Sequence, residues 1–148
     1  MSYFLGIDPG QSGGMTLLKR KKIEDAFTFK DMTGAQVKDW LKCIQYKCGG
    51  EILAALELVH SMPKQGVSSS FKFGMHYGHC QGVLDALEIS YELVTPQKWQ
   101  TFLGCKSGGN KNITKARAHR EWPTHSKLLT HALADSALIA LWLSRQQR

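Results

Sequence analysis

Three acids stand where acids are unfavourable. Asp8 ends the aromatic and apolar run from Tyr3 to Ile7, Glu57 interrupts the apolar stretch Ile52 to Val59, and Asp135 is the one charge inside the run Ala132 to Leu143. Carboxylates are disfavoured in buried strands and in apolar surroundings unless something satisfies them. Each of the three breaks the pattern of its own segment, and broken patterns tend to mark functional sites. His131 lies four residues before Asp135 and shares its helix face. If the segments around positions 8 and 57 are neighbouring strands, both carboxylates project from one sheet edge. Asp135 and His131, at the start of the last helix, can converge on the same place. Crowded carboxylates repel one another unless a cation neutralises them. A hard divalent ion such as Mg²⁺, held by oxygen ligands, does so. Two such ions about 3.5–4 Å apart would clamp a phosphodiester, one activating water and the other stabilising the departing 3′ oxygen. Taken singly, each residue has a plainer reading: a turn at Asp8-Pro9-Gly10, a solvent-facing edge residue at Glu57, a helix-dipole partner at Asp135, a structural imidazole at His131.

The charge distribution points to a polyanion. The chain carries 19 Lys and Arg against 12 Asp and Glu, a net charge of +7. Between Gln97 and Lys127 stand Lys98, Lys106, Lys111, Lys115, Arg117, Arg120 and Lys127 against Glu121 alone. Basic side chains neutralise phosphates and release counterions. A solvated, solubilising face is the plain alternative.

The elements that must position these groups follow from length and pattern. The 148 residues are expected to form one domain, 1–148, burying roughly 68–70% of the unfolded chain's surface. Hydrophobic residues make up 43% and charged ones 21%, the composition of an ordinary globular protein. Cys43, Cys48, Cys80 and Cys105 form no CxxC pair, so free thiols in a reducing compartment are expected. There is no signal-peptide pattern and no apolar run of membrane-spanning length. A cytoplasmic location is expected, in the bacterial host if the chain is phage-encoded.

Tyr3–Ile7, Met15–Leu18 and Ile23–Phe29 read as a meander of three strands. Gly34–Cys48 shows helical spacing, Ile52–Val59 a buried strand, and 61–70 a loop. A helix over Ser70–Leu87 carries Gly74, Gly78 and Gly82 at four-residue spacing, which calls for close approach of another backbone. Tyr91–Val94 is a short strand, Thr95-Pro96 opens a helix, Cys105–Asn112 is a loop, and helices cover Thr114–Trp122 and Ala132–Leu143. A strand after a helix, following a meander, implies a mixed α/β sheet with helical crossovers. His76 and His79, one turn apart, lack a further metal ligand.

The stretches FLGIDPGQSGG, LELVHSMPKQGVSSSFKFG, VTPQKWQ, TKARAHREWP and HALADSALIAL carry a resemblance along nearly the whole chain. The sequence resembles the RuvC-type Holliday-junction resolvases of the ribonuclease H-like superfamily, the short bacteriophage forms above all. The resemblance implies a mixed five-stranded sheet with an antiparallel meander of strands 1–3, flanked by helices. It implies a homodimer that nicks two opposed strands of a four-way junction symmetrically, leaving 5′-phosphate ends, with Mg²⁺ or Mn²⁺. It implies neither a membrane partner nor a nucleotide cofactor. Asp8, Glu57 and Asp135 match the family's acids, and His131 falls where many members carry Asp and some His. A histidine there offers a ligand or a general base but no second negative charge, which leaves the metal count and preference open.

His60 matches the position of an aromatic that wedges between bases. Lys98 and Lys111 match basic residues that hold the scissile strand, with Lys115 a competitor. His60, Lys64, Lys98, Lys111, Lys115 and Arg117 are therefore the expected DNA contacts. The family's dimer contact involves the glycine-marked helix. The alternatives are a weakened or non-catalytic binder of branched DNA, a related nuclease acting on RNA–DNA hybrids, and, least fitting at this length, an actin-like ATPase.

Overall fold

The structure, a computed structural model, describes residues 2–60 and 63–147. Five strands run β1 (Tyr3–Asp8), β2 (Gly14–Lys19), β3 (Lys22–Thr28), β4 (Ile52–Glu57) and β5 (Ser90–Val94). Five helices are α1 (Gly34–Lys47), α2 (Val67–Ala86), α3 (Pro96–Leu103), α4 (Lys111–Glu121) and α5 (His131–Gln146). The sheet order is β3-β2-β1-β4-β5. β1 pairs antiparallel with β2, and β2 with β3, while β1–β4 and β4–β5 are parallel. This is the mixed five-stranded α/β sheet, with an antiparallel meander of strands 1–3, that the resemblance implied. Among the described residues no helix is long and apolar enough to cross a membrane.

Side chains alternate across the sheet, and each face has its own core. Leu5, Ile7, Leu17, Ala54 and Leu56 pack with Val37, Leu41 and Ile44 of α1 and with Cys80, Val83 and Leu84 of α2. On the other face, Leu18, Ala55 and Val94 meet Trp99 and Leu103 of α3, Ala118 of α4, and Leu133, Ala134 and the run Ala137 to Leu143 of α5. The four cysteines are free, as expected.

Glycine at position 6 places α5. A Cβ there would collide with the Ser136 carbonyl oxygen and the Ala140 amide nitrogen. Only a residue without a side chain lets the helix backbone lie directly on β1. The buried hydroxyls of Thr16 and Ser136, 2.7 Å apart, tie α5 to β2 at the same level.

Two helix starts differ from the sequence pattern. α2 begins at Val67, three residues before the predicted Ser70, with Gly66 as N-cap, so the serine run is helical. Positions 61 and 62 of the predicted loop lie outside the described residues. α4 begins at Lys111 rather than Thr114, because the Asn110 side chain accepts from the Asn112 amide and caps an extra turn. Lys111, expected in a loop, is therefore a helix's first residue. The three glycines of α2 also differ from one expectation. Nothing lies within 4 Å of a Cβ built at Gly74, Gly78 or Gly82, so they serve no close packing inside the described chain.

Candidate active site

β1 and β4 are parallel neighbours, with Ile7 opposite Leu56, so both strands end at the same edge. Asp8 and Glu57 are the last residues of their strands, and both are buried. The turn after β1 folds back on the aspartate. The Gly10 amide donates to Asp8 Oδ1 at 3.2 Å, and a Cβ on Gly13 would strike the Asp8 carboxyl group. α5, seated on β1 through Gly6, brings Asp135 to the same edge. Asp8, Glu57 and Asp135 together line a cleft of about 520 Å³ with Gln97, Gln100, Lys106, Lys111 and Thr114.

The electrostatics are those of acids short of countercharge. Burial, and then the charge of Asp135, lifts the Asp8 carboxyl from its ordinary 3.8 to about 6. Burial, and then Asp8, lifts Glu57 from 4.5 to about 8, against the opposing pull of the Trp99 hydrogen bond. Asp135 is raised by burial and held back by a hydrogen bond from Thr114 and by the charges of Lys111 and His131. Lys111 lowers all three acids, so it is the basic group they share.

This donor set fits a hard divalent cation in type and sign. Among the described residues, no three His, Cys, Asp or Glu side chains form a ready-made metal cage. Mg²⁺ does not need one, since it is usually bound through one or two carboxylates plus water and substrate phosphates.

Neither a family model nor a curated protein sequence matches the chain. Solved structures do. RuvC from Thermus thermophilus in complex with a Holliday junction substrate superposes with a TM-score of 0.65 at 14% identity, covering 99% of this chain and 96% of that one. A second Thermus thermophilus RuvC structure gives 0.61 at 14% identity, covering 98% and 96%. The chain has the RuvC fold.

Within this RuvC-like frame the predicted site residues part company. Asp8, Glu57, Asp135 and Lys111 meet at the cleft. His131 is exposed and does not line it; its Nε2 lies 3.0 Å from Asn112 Oδ1. His60 and Lys64 are exposed on the chain leaving β4. Lys98 points elsewhere, with its ammonium 5.6 Å from the centre of the Trp142 ring. Lys115 is half-buried on α4 and does not line the cleft.

Arg117 is engaged inside the protein. Its Nε donates to the Leu103 carbonyl at 3.2 Å and its NH1 to Glu121 at 2.9 Å, so its guanidinium is committed within the protein. The contact with Glu121 is an i,i+4 pair, a signal that was readable in the sequence. The His76 ring packs edge-on against Phe29 with centroids 4.5 Å apart.

The sequence pattern missed several cleft residues. Gln97, Gln100, Ser107 and Thr114 carry no signal beyond being polar. Trp99 read only as part of an apolar helix face. Its indole N–H in fact donates to Glu57 Oε2 at 2.6 Å.

Proposed function

We propose that the chain is a divalent-metal-dependent endonuclease that resolves Holliday junctions and other branched DNA by paired nicks. The observation that carries this reading is the convergence of Asp8, Glu57 and Asp135, from three separate elements, on one cleft faced by Lys106 and Lys111. The likeness to a RuvC solved with a Holliday junction substrate supports the same substrate class.

Asp8 and Glu57 would hold the metal, Mg²⁺ or Mn²⁺, with Asp135 completing the acidic wall. Bound there, the ion would polarise the scissile phosphate and acidify the attacking water. Thr114, whose hydroxyl donates to the Lys111 carbonyl, lines the cleft with Asp135. Lys106 and Lys111 meet the phosphate backbone, and Lys111 balances the acids before substrate arrives. His60 and Lys64, on the exposed chain after β4, would contact the junction outside the cleft, as would Lys98 and Lys115. His131, one turn before Asp135, would act as an outer ligand or base, with Asn112 orienting its ring.

Paired nicks need two sites related by symmetry, and a two-fold dimer supplies them. The exposed apolar stripe Val67, Phe71 and Met75 on α2, beside the open faces of Gly74 and Gly78, is the surface a second copy would cover. Close backbone approach between the paired helices then accounts for the glycines.

Asp8→Asn tests the reading. Removing a metal-holding carboxylate forfeits several kcal/mol of transition-state stabilisation, about 10³-fold or more in rate. Nicking of a synthetic four-way junction in Mg²⁺ should disappear while gel-shift affinity in EDTA is kept. Cleavage at the wild-type rate would remove Asp8 from the mechanism. Preferential cutting of an RNA–DNA hybrid would replace the substrate class. One observation favours a second reading, a junction binder without turnover: His131 stands outside the cleft. Tight binding with no nick in either Mg²⁺ or Mn²⁺ would establish it.

A further inference from the structure

Two consecutive residues of α3 reach two different walls of the cleft. Trp99 is fully buried and gives its indole N–H to Glu57 Oε2 at 2.6 Å. An indole is a donor only, so it commits that carboxylate oxygen to the protein, while Glu57 itself lines the cleft. Gln100 faces the other way. Its Oε1 accepts from the Ser107 amide at 3.1 Å and from the Ser107 hydroxyl at 3.2 Å. Ser107 Oγ in turn accepts from the Gly109 amide at 3.3 Å. Gly108 and Gly109 have φ of 57° and 91°, which side chains rarely adopt, and they lead into Asn110 and Lys111. Gln100 therefore pins the loop between Lys106 and the Asn110 cap of α4.

The helix between these contacts is itself fixed. Thr95 Oγ1 caps it by accepting from the Lys98 amide, Pro96 opens it, Gly104 closes it at φ 68°, and Leu103 is buried beside Trp99. A side chain held by packing and by a second hydrogen-bonded partner presents its ligand atom in one orientation.

We propose that α3 is the positioning element of the cleft, with Trp99 fixing the metal-side carboxylate of Glu57 and Gln100 fixing the phosphate-side loop 107–109. Both are positioning residues, since neither is the group that reacts. The proposal rests on the nuclease reading above and adds to it the division of labour: one residue for the metal, its neighbour for the DNA strand.

The experiment uses the full chain and two direct binding measurements, Mn²⁺ titration followed by electron paramagnetic resonance and four-way-junction affinity by fluorescence anisotropy in EDTA. Trp99→Phe risks a cavity in the core, so the decisive variant replaces Trp99 by 3-benzothienylalanine, which keeps the ring shape and exchanges N–H for sulfur. Its Mn²⁺ dissociation constant should rise about tenfold, in the range seen when a ligand's hydrogen-bond partner is removed, with junction affinity within about twofold of wild type. Gln100→Met should do the reverse, weakening junction binding severalfold and leaving the Mn²⁺ constant alone. A purely structural role would move both measurements together in each variant, and that result would overturn the proposal. An unchanged Mn²⁺ constant in the benzothienylalanine protein would do the same. Asp8→Asn run alongside separates the two failures. If it weakens Mn²⁺ binding and the Trp99 replacement does not, only the role of α3 falls; if neither weakens it, the metal site falls too.

Discussion

α5 and α2 flank opposite faces of the same sheet, and both are rich in apolar residues. In α5, Leu133, Ala134 and the whole run Ser136 to Leu143 are buried, because β1 and β2 lie beneath it and α3 and α4 cover it. In α2 only Cys80, Val83 and Leu84 are buried, all in its last two turns. Its first half leaves Val67 88%, Phe71 68% and Met75 62% exposed. Large apolar groups gathered on one exposed face are a mark of an interaction site. One helix is thus finished by its own chain and builds the cleft, while the other presents an open apolar face, the one the proposed dimer would cover. Glycine has opposite uses in the two settings. Gly6 is filled by α5 within the chain, whereas Gly74 and Gly78 face open space.

Three experiments sharpen this contrast, in falling order of effect on stability. Gly6→Val inserts a side chain into the Ser136 and Ala140 backbone. Overpacking typically costs 1–3 kcal/mol, and a rigid backbone obstacle puts this change at about 3 or above. Urea denaturation should show a large drop in midpoint or no folded protein; a near-normal midpoint would mean that α5 is not seated as described.

Next comes pH. Asp8 and Glu57 have folded pKa values of about 6 and about 8, above the 3.8 and 4.5 of exposed carboxyls. The folded state therefore binds more protons than the unfolded state between roughly pH 4 and 8, so stability from these groups is present below that window and lost as pH rises through it. The metal-free protein should melt lower at pH 8.5 than at pH 5.5, and Mg²⁺ should restore more at the higher pH, where the ligands are ionised. Asp8→Asn should flatten the profile; a profile equally steep in that variant would assign the pH dependence elsewhere.

The smallest effect on the monomer belongs to Phe71→Asp. The residue is exposed, so the chain's own stability should change by about 0.5 kcal/mol or less. Light scattering after size exclusion should instead show the molecular mass halved, with paired nicks replaced by none or by single ones. A wild-type chain that is already a monomer would show that the apolar stripe is not a dimer surface.

Much of the fold was legible before any coordinates. Short apolar runs punctuated by Asp8-Pro9-Gly10, Gly13-Gly14 and Gly49-Gly50 mark strands and helix ends by local chemistry alone, and Thr95-Pro96 marks a helix start in the same way. Asp8, Glu57 and Asp135 were legible because each disrupts a pattern that local rules otherwise enforce. The destinations of Trp99, Gln100 and Arg117 were not. A tryptophan on an apolar helix face has the same spacing whether its N–H meets a carboxylate or a backbone carbonyl. The Asn110 cap was hidden by the glycines beside it, which read as loop.

The order of apolar and breaking residues determined the elements, the basic stretch and the three misplaced acids, since each depends on near neighbours along the chain. Only the tertiary structure decided that the acids share one cleft, that Lys111 faces all of them while Lys98 and Arg117 turn away, and that one apolar helix is enclosed and the other open. Those outcomes depend on pairs far apart in the chain, such as Gly6 with Ala140 and Glu57 with Trp99, and no local pattern encodes which distant surface a side chain will meet.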